Sequence, residues 1–198
     1  MLELPVICLL KIKMLPKIII VNGLPASGKT TLAGEISKEL KILAIHKDQI
    51  KEDLFDSFNL KPSRKLSQEL GVKAFKVMFE RLDQGLSQNQ SLILEANFKP
   101  EFDNQNFKSI LSKYPHLLFQ INCIADPKIL FERFKSRSLE SRHPMHCDSQ
   151  NSQKWQEFFD ETQFQALDLK SKTININTNN FKEIHIKKIL HLLSNNLT

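Results

Sequence analysis

Lys17-Ile18-Ile19-Ile20-Val21-Asn22-Gly23-Leu24-Pro25-Ala26-Ser27-Gly28-Lys29-Thr30-Thr31 is the stretch on which the reading of this chain turns. Ile18 to Val21 is an unbroken β-branched run with no polar alternation, the pattern of a strand buried on both faces of a parallel sheet. Beyond the stretch, Leu32, Ile36 and Leu40 recur at helical spacing. Between strand and helix stand Gly23 and, after four residues, Gly28-Lys29-Thr30. Glycines at those two places let the backbone turn around an anion with no Cβ in the way. Successive amides and the helix N-terminus then converge on the charge. The pattern gives Lys29 to the β/γ-phosphates of a nucleotide and the Thr30 hydroxyl to Mg2+. Gly23, Pro25, Ala26, Ser27, Gly28, Lys29, Thr30 and Thr31 are thus the expected nucleotide-binding positions.

Working outward, 198 residues with 41% hydrophobic and 25% charged content suit one α/β domain spanning 1–198. Residues 1–15 read as an N-terminal extension, with Met14 standing just before the first strand. The net charge of +6 suits polyanionic substrates. Lysines and arginines are scattered rather than massed, so a nucleic-acid partner is allowed but not favoured. No apolar run approaches the ~20 residues that span a bilayer. Cys8, Cys123 and Cys147 are odd in number and lack paired spacing. These features point to a reducing, cytoplasmic setting.

The second strand is expected over Lys41–His46, with Asp48 opening the helix that follows. A carboxylate there suits an N-cap. It also lies beyond a strand's carboxyl end, where open parallel sheets gather their chemistry and where an acid can accept a proton from an incoming hydroxyl. Residues 63–88 carry Leu66, Leu70, Ala74, Val77, Met78, Phe79 and Leu82 as an apolar helical stripe, with Gly85 near its end. The third strand, Ser91–Glu95, delivers Glu95 and Asn97 to the same edge, either as Mg2+- or substrate-contacting groups or as a solvated strand end. The fourth strand is expected at His116–Ile124, with Asp126-Pro127 capping the next helix.

That helix carries Arg133 and Arg137 one turn apart and runs toward Arg142. Residues 138–150 are polar and irregular and read as a lid loop whose arginines would close over a triphosphate, or as an ordinary solvated segment. His143, His146, Cys147 and Asp148 could contact substrate. They could also hold a metal, though a structural site normally needs a second ligand pair, and no such pair is spaced for it. Residues 153–169 are expected as an amphipathic helix with Trp155, Phe158, Phe159, Ala166 and Leu167 inward. A fifth strand is expected at Thr173–Thr178, and a closing helix at 181–194.

Four segments, Gly23–Thr31, His46–Phe55, Leu92–Glu101 and Phe131–Asp148, give the chain its family likeness. It resembles the small P-loop kinases grouped as AAA-type ATP-binding domains, among them polynucleotide kinase, chloramphenicol phosphotransferase and zeta toxins. The resemblance implies a three-layer P-loop NTPase fold: five parallel strands in the order 2-3-1-4-5, helices on both faces, and an arginine-bearing lid. It implies ATP and Mg2+ as cofactors, Lys29, Asp48 and Arg137 as catalytic residues, and Asp48 as the base for an acceptor hydroxyl. Arg133 would stack on adenine, while Arg137 and Arg142 would contact phosphates. Lys51 stands where polynucleotide kinases carry an acceptor-binding arginine, so the charge is kept and the fork geometry is lost. Asp48, Lys51, Glu95, Asn97 and His143 are the expected substrate contacts.

The expected activity is therefore transfer of the ATP γ-phosphate to a hydroxyl of a small molecule or nucleotide. A GTPase switch would need an Asn-Lys-x-Asp guanine reader, which the sequence lacks. An oligomeric motor would need a further helical domain. The alternative is an ATP-binding or ATP-hydrolysing regulatory protein with no dedicated acceptor.

Overall fold

Alternation along the first strand builds the two halves of the interior. The computed structural model describes residues 15–58, 61–139, 143–146 and 152–194. In β1 (Lys17–Gly23), Ile18 and Ile20 point to one side and Ile19 and Val21 to the other, and all four are fully buried. Successive side chains of a strand face opposite ways, so an all-apolar strand requires cover on both faces. Helices supply it. On the first side pack α2 (Lys47–Asp56), α3 (Arg64–Ser87) and α4 (Pro100–Leu111), through Ile50, Met78, Leu82 and Phe107. On the second pack α1 (Lys29–Leu40) and α7 (Ile186–Ser194), through Leu32, Ile36, Ile189 and Leu193.

The remaining strands are β2 (Leu43–His46), β3 (Leu92–Ala96), β4 (Leu117–Ile124) and β5 (Lys172–Asn177). All pairings are parallel, in the order β2-β3-β1-β4-β5 that the family likeness implies. The order matters for function. With β1 central, β2 and β3 lie to one side of the phosphate loop and β4 and β5 to the other.

Several expected boundaries shift for local reasons. Lys41 takes a left-handed backbone (φ 55°) as α1 ends, so β2 begins only at Leu43. Gly85 does not end α3. A Cβ there would lie 2.5 Å from Leu92 Cδ1, so the glycine is where the helix presses on β3. The helix stops instead in a Schellman turn at Asn89 (φ 58°), where the Gln90 and Asn89 amides donate to the Gly85 and Leu86 carbonyls.

The expected helix over 153–169 is corrected to α6 (Ser152–Glu161). Beyond it the backbone finds side-chain partners instead of helical ones. Gln120 donates to the Leu167 carbonyl, and the Asp168 amide donates to Asn104. Leu167 is buried as expected, but Ala166 is exposed. The expected closing helix also divides, into a 3-10 turn (Phe181–Glu183) and α7, with extended backbone at Ile184 between them.

Candidate active site

The turn between β1 and α1 is held open from within. Ala26 (φ 61°) and Gly28 (φ 78°) adopt left-handed backbone, which turns neighbouring amides toward one concavity. Both loop glycines are also close approaches. A Cβ on Gly23 would meet Ser27 Oγ at 2.4 Å and the Cys123 carbonyl at 2.6 Å. On Gly28 it would strike the Phe181 ring at 2.0 Å. Asn22 anchors the loop's entry. Its Oδ1 accepts the amides of Gly23 (2.8 Å) and Phe98 (2.9 Å), tying β1 to the segment after β3. Nothing in the phosphate-loop pattern singles out that position. Its only signal was a polar residue ending an apolar run.

Around the loop the strand ends deliver charge. Parallel register sets His46 beside Glu95, and Glu95 beside Val21. Glu95 is buried, with one oxygen 2.9 Å from His46 Nδ1 and the other 3.9 Å from Lys29 Nζ. Lys29 Nζ also donates to the Leu24 carbonyl at 3.2 Å, so its side chain lies across its own loop. Burial lowers the Lys29 pKa, and Glu95 and Asp48 work against the shift.

Asp48 stands in the first turn of α2 and is not its cap. His46 occupies the N-cap, with no side-chain hydrogen bond there. The Asp48 carboxylate is 49% exposed and accepts from Lys47 Nζ at 2.8 Å. Burial works to raise its pKa, but the charge and hydrogen bond of Lys47, joined by the charges of His146 and Lys29, outweigh that and hold it well below the usual carboxylate range. Lys51, one turn further along, is 6% exposed and donates to Ser67 Oγ at 2.6 Å.

The arginines come from α5 (Pro127–Leu139), which Asp126 caps by accepting the Lys128 amide at 2.9 Å. Arg133 and Arg137 leave one helix face in different directions. Arg133 donates to the Asn179 carbonyl at 2.8 Å and lies 5.6 Å from the centre of the Phe181 ring, on the β5 side. Arg137 rests over Phe134 and lines the groove that holds Lys29, Asp48 and Glu95. Burial lowers its pKa, opposed by Asp48 and Glu95. Arg133 Nη1, Arg137 Nε and Ser27 Oγ are buried with no hydrogen-bond partner. A buried donor left so is costly, about 1–3 kcal/mol each, and a phosphate-bearing ligand would relieve it.

The expected lid is described only in part. Arg142, Cys147 and Asp148 lie outside the described residues. His143, expected at the substrate, instead accepts the Met145 amide on Nδ1 and turns Nε2 to Asp56 at 3.1 Å. Met145 is fully buried beside Phe55 and Leu70. His146 is the histidine that lines the groove. Among the described residues no three His, Cys, Asp or Glu side chains group as a metal site.

The groove has a volume of about 1140 Å³ and extends from Lys29, Thr30 and Asp48 past Asn97 to Phe102 on α4. The exposed Thr30, with Asp48 and Glu95 lining the same groove, is an oxygen-rich donor set suited to Mg2+. The orphaned Ser27 and arginine donors suit a triphosphate.

Residues 18–162 match the family model described as "AAA domain". A "putative kinase" from Chloroflexus aurantiacus J-10-fl is 30% identical with a TM-score of 0.86, over 93% of this chain and 100% of that one. A sugar kinase from Janibacter sp. HTCC2649, 14% identical with a TM-score of 0.54, shares the fold over 91% of this chain and 95% of its own. Among curated proteins none matches the chain. Among the described residues no helix is long and apolar enough to cross a membrane.

Proposed function

The chain belongs to the AAA domain family of small P-loop, kinase-like proteins, and on that premise we propose that it is a kinase moving the γ-phosphate of ATP to an acceptor hydroxyl. One observation carries this reading. Lys29, Asp48, Glu95 and Arg137, from four separate elements, line a single groove at the carboxyl ends of β1, β2 and β3. Charge placed in advance where a phosphoryl group moves is the main catalytic resource of such enzymes.

In this reading the loop amides, Ser27 and Lys29 hold the triphosphate, while Arg133 and Phe181 border the base. Arg137 faces the transferring group, and Arg142 is a further phosphate contact. Thr30 would hold Mg2+, which when bound neutralises phosphate charge. Glu95 keeps Lys29 in place. Asp48 orients the acceptor hydroxyl. Held well below the usual carboxylate range, it is a weak base and takes the proton late, once bonding to phosphorus has made the hydroxyl acidic. Lys51, Asn97 and the open arc of the groove toward α3 and α4 would hold the acceptor. A cytoplasmic setting and a single domain belong to the same proposal.

The test is ATP and Mg2+ with and without a panel of hydroxyl-bearing metabolites, antibiotics and oligonucleotides. A kinase consumes ATP strongly only with its acceptor. Asp48→Asn is expected to lower transfer by about 10²–10⁴-fold while ATP affinity stays within about threefold. Transfer at near the original rate in that variant would remove the base assignment. Steady turnover without any acceptor would favour a hydrolase.

A further inference from the structure

Glu95 divides its two oxygens unequally. Oε2 lies 2.9 Å from His46 Nδ1, whereas Oε1 stays 3.9 Å from Lys29 Nζ. A direct ammonium–carboxylate hydrogen bond would close the second distance to about 2.7–2.9 Å. Among the described residues His46 is the one hydrogen-bond partner of this carboxylate. Arg137 acts on it through charge. The buried acid is thus bound to the neighbouring strand and faces the loop lysine across a gap.

The sheet puts His46 there. It ends β2 and stands opposite Glu95 in parallel register, so both side chains leave the same face. Ile93, two residues before Glu95 on that face, packs with Leu32 and Ile36 of α1, the helix that Lys29 begins.

Lys29 holds a neutral acceptor instead. Its Nζ donates to the Leu24 carbonyl at 3.2 Å. A phosphate oxygen displaces a carbonyl from an ammonium more readily than a carboxylate, because the charged pair is the stronger one. Without His46, buried Glu95 would have little water to turn to, and its remaining ion-pair partner among the described residues is Lys29. We propose that His46 is a positioning residue for Lys29: by binding Glu95 it keeps that carboxylate from capturing the ammonium, which stays free to meet the γ-phosphate. The inference rests on the nucleotide-binding part of the kinase reading given above.

Calorimetric titration of the full chain with ADP and with a non-hydrolysable ATP analogue tests this, since the ratio of the two affinities isolates the γ-phosphate. His46→Leu is expected to reduce that ratio by about tenfold, the loss of one charge-assisted hydrogen bond. ADP, held mainly by the loop amides, is expected to keep its affinity within about threefold and to report that the protein is folded. His46→Asn carries an amide nitrogen at the same place in the side chain as Nδ1 and is expected to restore the ratio to within about twofold. Added to Glu95→Gln, where no charge remains to capture Lys29, His46→Leu is expected to change the ratio by less than about twofold from Glu95→Gln alone. Each titration is run with Mg2+ and with EDTA, and the His46→Leu effect is expected in both.

Equal losses for ADP and the analogue in His46→Leu, unfolding included, would make His46 a staple between β2 and β3 and overturn the proposal. A ratio that His46→Asn does not restore, a full further loss in the Glu95→Gln background, or an effect confined to Mg2+ would overturn it as well. The kinase reading fails separately. The expected ratios together with no Asp48-dependent transfer across the acceptor panel would remove that reading and leave the role of His46 standing.

Discussion

His146 Nε2 and Glu52 Oε1 lie 2.6 Å apart, bringing the 3-10 turn Pro144–His146 onto the helix that carries Asp48. Glu52 and Asp48 are one turn apart on α2, and His146 acts electrostatically on Asp48 as well. The His146 side chain is 5% exposed and that of Glu52 25%. Removing one partner strands a largely buried polar group. His146→Leu is therefore expected to lower stability by about 1–3 kcal/mol in thermal or urea unfolding. Glu52→Gln combined with His146→Gln is expected to cost less than the sum of the single changes, as interacting neighbours do. Additive losses would show that the pair is not coupled.

Lys47 sets the acidity of Asp48, and the sign of its removal follows. Burial alone raises the Asp48 pKa; Lys47, through charge and hydrogen bond, is the largest of the opposing groups, with His146 and Lys29 adding to it. Lys47→Met removes the largest of these opposing groups, so the acid limb of the kcat/KM profile is expected to move to higher pH. The test compares pH profiles of the two proteins from about pH 4 upward, around the ordinary carboxylate range. An unmoved limb would mean that Asp48 is not the group being titrated. For folding, a depressed carboxylate contributes stability above its unfolded pKa of about 4 and loses it as the pH falls toward the folded value.

Gly28 is constrained twice, by its left-handed backbone and by the Phe181 ring. Gly28→Ala is expected to abolish measurable ATP binding in a calorimetric titration. Adding Phe181→Leu relieves the contact but not the backbone, whose left-handed cost for alanine is about 1–2 kcal/mol. Partial recovery is the expected result. Full recovery would show that the backbone requirement is absent.

Cys123 is buried beneath the loop, and burial pushes its thiol up to about 12. Iodoacetamide at pH 8, read by peptide mapping, is expected to leave Cys123 unlabelled in the native protein and label it fully in urea. In stability terms a raised thiol favours the fold below its unfolded pKa of about 8.5, and that contribution is lost as pH rises toward 12. Native labelling at the urea rate would contradict the burial.

The parts of the fold that one face decides were legible in the sequence. The β-branched run of β1, the phosphate loop and the α3 stripe each follow from local spacing, and the strand order followed from family likeness. What escaped depends on distant partners. Residues 162–169 continue a helical spacing of apolar side chains, yet Gln120 and Asn104 take their backbone groups. The capping role of Asp48 was plausible from its type and place, but the helix starts two residues earlier than that role requires, with His46 as its cap. His143 and His146 stand three residues apart, and only the packing of Met145 decides which one faces the groove. Asn22 joins two loops whose proximity no local pattern records.

Phe181 follows the last strand in the chain, yet its ring rests on the second glycine of a loop near the beginning. The α7 helix after it covers one side of β1, and Lys17 Nζ reaches back to the Leu193 carbonyl at 3.0 Å. During synthesis the loop emerges early and waits for its cover, since a domain folds as a unit and its last packing partners emerge last. The phosphate cradle is therefore completed only once synthesis has passed Phe181. Ribosome-bound fragments ending before Phe181 would have every residue of the loop and still lack its finished shape.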